Sequence, residues 1–258
     1  MEGAFIGDIV GSVYEWSGHK GKEFPLFQPG CRATDDSLMT LAVARAFREA
    51  QKAGKLLEAE TVLPLLARYM RQLGQKYPNA GFGGKFRQWL SDPAMGPYGS
   101  FGNGAAMRVS PAGWFASTLE EAQHLAVLSC QETHNHPDSY RGARAVAGAV
   151  FLARQHKTKE QIRTYLRQYY PLDFRLEDLR DSYQGDATCE GSVPQALEAF
   201  LEAENFEDAL RNAVSLGGDT DTLAAMAGSI AEPFFGIPEK ILEEGRKYYL
   251  PEMGEEVK

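Results

Sequence analysis

The stretch that decides the reading is LGGDTDTLAAMAGS, residues 216–229. Two glycines lead into Asp219 and Asp221, which alternate with Thr220 and Thr222 before a run of small apolar residues. Asp and Thr are favoured at helix starts because their side-chain oxygens accept from first-turn N–H groups that have no partner in the helix. The apolar run then predicts a helix over 222–236. Residues 31–42, CRATDDSLMTLA, repeat the design. Thr34, Asp35 and Asp36 precede an amphipathic helix predicted over 36–55, with Leu38, Leu41, Ala42, Arg45 and Ala46 on one face. A cap needs one accepting oxygen. Each of these mouths offers several, and adjacent like charges repel.

Working outward, the same three- and four-residue spacing predicts helices over 57–75, 118–132, 139–156, 159–170, 192–204, 205–217 and 238–249. No pair of alternating segments flanks an Asn-Gly or Asp-Gly turn, so no hairpin is expected. The fold class is all-α, in one domain spanning 1–258. Ala, Gly and Ser on the apolar sides, as in AAMAGS and GARAVAGAV, let helix axes approach closely. Two long irregular stretches remain, 16–34 and 91–104. The second is glycine-rich with aromatics, which favours a functional loop.

Composition narrows the function. Hydrophobic residues at 43% and charged residues at 24% mark an ordinary globular chain, long enough to bury a core without disulfides. Cys31, Cys130 and Cys189 are an odd, scattered set, which fits a reducing compartment. MEGAFIGDIVGSVYEW lacks a basic leader and is broken by Asp8, and no run approaches the roughly twenty apolar residues of a membrane span. A cytoplasmic protein is expected. The net charge of −8 with dispersed Lys and Arg argues against direct binding to a nucleic-acid backbone.

Surplus carboxylates at the start of a buried helix are costly unless a cation neutralises them. Oxygen donors of this kind suit Mg2+, Mn2+ or Ca2+ rather than zinc. Glu15, expected at the end of a first helix in GDIVGSVYEW, adds a further carboxylate. Together the clusters offer enough oxygens for two ions with a shared ligand. Neither has the twelve-residue spacing of a calcium EF-hand.

GDIVGSVYE, TDDS at 34–37, GSFGNGAAMR at 99–108, THNHP at 133–137 and GGDTDT at 217–222 follow one another in an order that resembles the ADP-ribosylglycohydrolase family. The resemblance spans nearly the whole chain. It implies a compact orthogonal multi-helix domain with a metal-lined cleft and two Mg2+ (or Mn2+) ions. Thr34, Asp35, Asp36, Asp219, Asp221 and Thr222 would be ligands. It further implies release of ADP-ribose from a modified protein side chain or a small-molecule conjugate. Metal-held ribose hydroxyls and a metal-bound water would serve that reaction, with Glu15 or Asp36 as general base.

GSFGNGAAMR reads as a loop entering a helix at Ala105, a common turn unless the resemblance holds. If it does, Gly99, Ser100, Gly102, Asn103 and Gly104 cradle the diphosphate and adjacent ribose, and Phe101 offers a face to adenine. His134 then lies beside the distal ribose. His136, before Pro137, reads as structural, and His19 as solvent-exposed. Cys31 reads as a small packed residue, and Trp16, Trp89 and Trp114 as core or cleft wall. Two rivals stand beside the glycohydrolase. One is a two-metal phosphoesterase acting on a nucleotide; the other is a non-catalytic member, whose mark would be lost ligands. Ile9, Val10 and Ser37 depart from the family pattern at non-ligand positions. The acceptor stays open among arginine, serine, nucleobase and free conjugates.

Overall fold

The computed structural model describes residues 1–256, so the last two positions of the expected 1–258 domain lie outside the described residues. Within them the regular elements are helices: α1 (Glu2–Gly11), α2 (Asp35–Lys52), α3 (Ala59–Lys76), α4 (Gly84–Ser91), α5 (Gly104–Met107), α6 (Ser110–Phe115), α7 (Leu119–Gln131) and α8 (Pro137–Arg154). The second half adds α9 (Lys159–Leu166), α10 (Leu176–Leu179), α11 (Cys189–Glu202), α12 (Phe206–Val214), α13 (Thr220–Phe235), α14 (Glu239–Arg246) and α15 (Pro251–Glu256). The all-α reading holds. One isolated bridge, Gly102 with Thr188, is the extended pairing among the described residues.

α13 forms the axis of the molecule. Every residue from Thr220 to Ala231 is buried, as expected of a helix apolar on all sides and packed by neighbours all round. It lies against α1, α8, α11 and α12. Its contact with α1 is the most intimate, for a reason written in the residues. Gly3, Gly7 and Gly11 sit four apart on one face of α1 and meet Gly228, Ala224 and Thr220, four apart on α13. A Cβ at Gly7 would fall 2.1 Å from the Ala224 carbonyl oxygen, and one at Gly11 2.4 Å from that of Thr220. Only bare backbone permits this approach. Thr220 Oγ1 then donates to Gly11 O at 2.8 Å, locking the end of α1 to the start of α13.

Several boundaries differ from the sequence-based expectation. α1 ends at Gly11, so Glu15 stands in the turn after it rather than on the helix. Trp16 is 87% exposed, not core, whereas Trp89 is fully buried. His19 is half-buried against Tyr14 and Phe24. A third irregular stretch runs from Arg167 to Thr188, broken only by α10. Its function is local: Cys189 N donates to Phe101 O and Asn103 N to Ala187 O, which pins the glycine-rich loop.

Candidate active site

The two acidic mouths meet. α2 begins at Asp35 and α13 at Thr220, and their first turns line the same cleft of about 390 Å3, within the size range of small-molecule sites. Capping accounts for little of the acidity. Thr34 Oγ1 caps α2 by accepting from Asp36 N, and Asp219, at the N-cap of α13, makes no side-chain cap bond. Asp35, Asp36, Asp219 and Asp221 are therefore surplus to helix initiation.

Carboxylate oxygens of Asp8, Asp36 and Asp221 lie within 4.8 Å of one another, and those of Glu15, Asp219 and Asp221 form a second such group. Asp221 belongs to both. Thr222 Oγ1 donates to Asp36 Oδ2 at 3.2 Å, tying α13 to α2, while Asp36 Oδ1 is buried with no partner. Burial first, and then the charges of neighbouring aspartates, push Asp36 and Asp221 well above the ordinary carboxyl range. The same two causes, with Asp8 the strongest of the charges, push Asp35 up to about 7. Burial, followed by the charge of Asp219, raises Glu15. Among the described residues no ion pair to Asp8, Asp36, Asp219 or Asp221 is formed, and the charge of Arg32 acts on Glu15 as a lesser influence than burial and Asp219. The cluster's all-oxygen donors, its orphaned Oδ1 and its surplus negative charge fit hard divalent cations.

Asp8 is the residue that sequence reasoning missed. It is fully buried in the middle of α1, and it is saturated: Oδ1 accepts from Thr34 Oγ1 at 2.7 Å, and Oδ2 from Thr34 N and Ser37 N at 2.9 and 3.0 Å. It therefore holds the Thr34–Ser37 turn and supplies negative charge from behind. A lone Asp amid AFIG and IVG was the available signal.

On the opposite wall stand Ser100, Gly102, Asn103, Gly104 and His134. Asn103 Nδ2 donates to Asp219 Oδ2 at 2.6 Å, joining the loop to the acidic cluster. Gly99 and Phe101 lie off the cleft wall. Ser100 and Gly102 face inward, while Phe101, 53% exposed, sets its ring 5.7 Å from His136. Gly99 N is bound to Asn135 Oδ1. Ser100, Gly102 and Asn103 N–H groups also have protein partners, which leaves fewer free donors than a cradle of open amides would give. His136 caps α8 by accepting from Asp138 N. Tyr98, Arg108, Arg32 and, from the 80–86 segment, every residue but the core Phe82 also line the cleft and were not foreseen; AGFGGKF, with three glycines, was the readable sign.

The pattern of the ADP-ribosylglycohydrolase family matches residues 1–256. The chain belongs to that family. It is a hydrolase of ADP-ribosyl linkages. ADP-ribosylhydrolase ARH3 of Bos taurus is 28% identical over 93% of this chain and 84% of its own length. The ADP-ribosyl-[dinitrogen reductase] glycohydrolase of Rhodospirillum rubrum is 25% identical over 92% and 84% respectively. A solved structure described as an ADP-ribosylglycohydrolase-related protein complex superposes with a TM-score of 0.67 at 22% identity, over 99% of this chain and 92% of that one, and so shares the fold. Among the described residues of this family member, no helix is long and apolar enough to cross a membrane.

Proposed function

We propose that the protein cleaves the glycosidic bond between the distal ribose of ADP-ribose and an acceptor, a protein side chain such as arginine or serine or a related small conjugate, releasing ADP-ribose. The observation that carries this reading is the convergence of carboxylates from α1, α2 and α13 at one end of a cleft whose other wall is the glycine-rich loop and His134. Two Mg2+ or Mn2+ ions suit the donor set. Asp36 and Asp221, backed by Asp8 and with Thr34, Asp35 and Thr222 at hand, would hold one; Glu15, Asp219 and Asp221 would hold the other. When bound, they would neutralise the cluster and polarise the oxygens of the distal ribose.

The remaining chemistry belongs to side chains. Departure of the acceptor leaves oxocarbenium-like charge on the ribose, beside the carboxylate-rich wall of the cleft. Glu15 is half-buried at the cleft, with its affinity for a proton raised by burial and Asp219, so it is suited to move a proton to or from the attacking water. Asp36 is walled in and committed to Thr222, which suits holding rather than proton transfer. Gly102 and Gly104, without Cβ atoms, let the His134 ring lie close over the loop backbone at the cleft. Three buried free cysteines fit a reducing, cytoplasmic setting, and one domain suffices for the whole site.

Incubation with arginine- and serine-linked ADP-ribosyl peptides, with and without EDTA, tests the proposal. Free ADP-ribose that disappears with EDTA supports it. Release of AMP or inorganic phosphate would point to a phosphoesterase instead.

A further inference from the structure

His134 is 6% exposed, and its two ring nitrogens have different surroundings. Nδ1 faces the protein. Thr133 Oγ1 lies 2.8 Å from it and Arg108 Nη2 3.4 Å. Nε2 has no hydrogen-bond partner among the described residues and lies over the glycine-rich loop. A Cβ added at Gly104 would sit 2.9 Å from it, and one at Gly102 3.6 Å. His134 itself lines the cleft.

The direction of each bond follows from what the groups can do. A guanidinium only donates. Arg108 Nη2 gives to Ser129 O at 3.1 Å and to Thr133 Oγ1 at 2.9 Å, so that hydroxyl accepts from Arg108 and has its own hydrogen to give. Its neighbour at 2.8 Å is His134 Nδ1. Nδ1 is the acceptor facing the Thr133 hydroxyl hydrogen among the described residues. A hydrogen on Nδ1 would leave that buried hydroxyl hydrogen without a partner, beside an Arg108 Nη2 whose two hydrogens already go to Ser129 O and Thr133 Oγ1. Arg108 and Thr133 are themselves buried, at 1% and 0% exposure, so water does not compete for these bonds.

We infer that Arg108 and Thr133 are positioning residues that fix His134 as the neutral imidazole with its hydrogen on Nε2, aimed as a donor at an oxygen of the bound ligand. The inference deepens the reading of this cleft as an ADP-ribose site and rests on it for the identity of the ligand; the tautomer itself does not depend on it. Burial and the nearby Arg108 charge, which hold the ring well below the usual histidine range, agree with a neutral ring at pH 7. A ring donor held this way keeps its hydrogen bond across the neutral pH range, unlike an exposed histidine, which changes charge there.

The test has two readouts. Long-range 15N–1H correlation spectra of the 15N-histidine-labelled full chain report which ring nitrogen carries hydrogen, without ligand or metal. The expected pattern for His134 is a protonated Nε2 and bare Nδ1 from pH 6 to 8. In T133V, which keeps shape and loses the hydroxyl, the pattern becomes a tautomer mixture; T133S restores it. Calorimetric binding of ADP-ribose to the Mg2+-supplied protein is expected to weaken about tenfold in T133V and recover in T133S. Hydrogen on Nδ1 or a charged ring in the wild-type protein overturns the inference. So does a T133V protein that keeps both the wild-type spectrum and the wild-type affinity. A wild-type chain that shows the Nε2 tautomer but binds no ADP-ribose overturns the proposed function and leaves the positioning role standing.

Discussion

Asp36 and Asp221 are both buried, both raised by burial and then by the charges of neighbouring aspartates, and neither forms an ion pair among the described residues. A residue kept in such a position costs stability in the absence of metal. Replacing one with its amide should therefore raise the melting temperature of the EDTA-treated protein while lowering turnover by about 100-fold or more, the scale of a lost catalytic group. D221N and D36N, followed by thermal denaturation and by ADP-ribose release, check this; a variant less stable than wild type without metal would contradict it. Asp8 is expected to behave in the opposite way. It holds Thr34 N, Thr34 Oγ1 and Ser37 N, and Asp8→Ala leaves those donors unpaired. A loss of about 1–3 kcal/mol for each buried donor so stranded should appear in urea unfolding whether or not metal is present. For Glu15, which would both help hold an ion and move a proton, E15Q should lose far more turnover than ADP-ribose binding. Equal loss of both would remove its proton-transfer role.

The elements that matter most are α1 and α13, because their separation sets the distance between Asp8 and Asp221. That separation rests on glycine. In a helix interior Ala is favoured over Gly by roughly 1 kcal/mol, so on propensity alone G7A would stabilise. The Cβ would instead meet the Ala224 carbonyl at 2.1 Å, and the helices must move apart. Overpacking of this kind costs about 1–3 kcal/mol. G7A is expected to unfold at lower urea and to bind Mg2+ more weakly, whereas G254A in α15, where an added Cβ meets nothing within 4 Å, should do neither. The three-glycine spacing was present in GAFIGDIVG. It carried no message by itself, since the partner face lies more than two hundred residues away. The end of α1 was similarly hard to place: it stops at Gly11, whose carbonyl accepts from Thr220 Oγ1 across the fold.

At the scale of the molecule, acidity accumulates on one side of the cleft and governs how the protein responds to pH and metal. Asp35 holds its proton more tightly folded, at about 7, than at its ordinary value of 3.8. The folded state then binds more protons across that window, so the metal-free protein loses stability as pH rises from about 4 to 7. Added Mg2+ opposes the loss and displaces protons. Its stabilising effect should grow with pH; at a free concentration about one hundred times its Kd it amounts to about 2.7 kcal/mol, or roughly 2–4 °C in Tm per kcal/mol. Melting curves at pH 5 and pH 8, with Mg2+ and with EDTA, give the comparison. A larger Mg2+ effect at pH 5 would reverse the assignment.

The sequence by itself determined that this chain is helical, because apolar spacing is a local property of each segment. It also marked both acidic mouths, because carboxylates beyond what a cap requires are visible in a dozen residues. What it left undecided was what each mouth faced. Asp8 joined the site, Glu15 left its helix, Phe101 turned outward, and Arg108 came to stand behind His134 only when remote segments were packed together. Partnership is a matter of distances across the fold. Those distances were set by the close approach of α1 to α13 and by the loop pinned at Ala187 and Cys189.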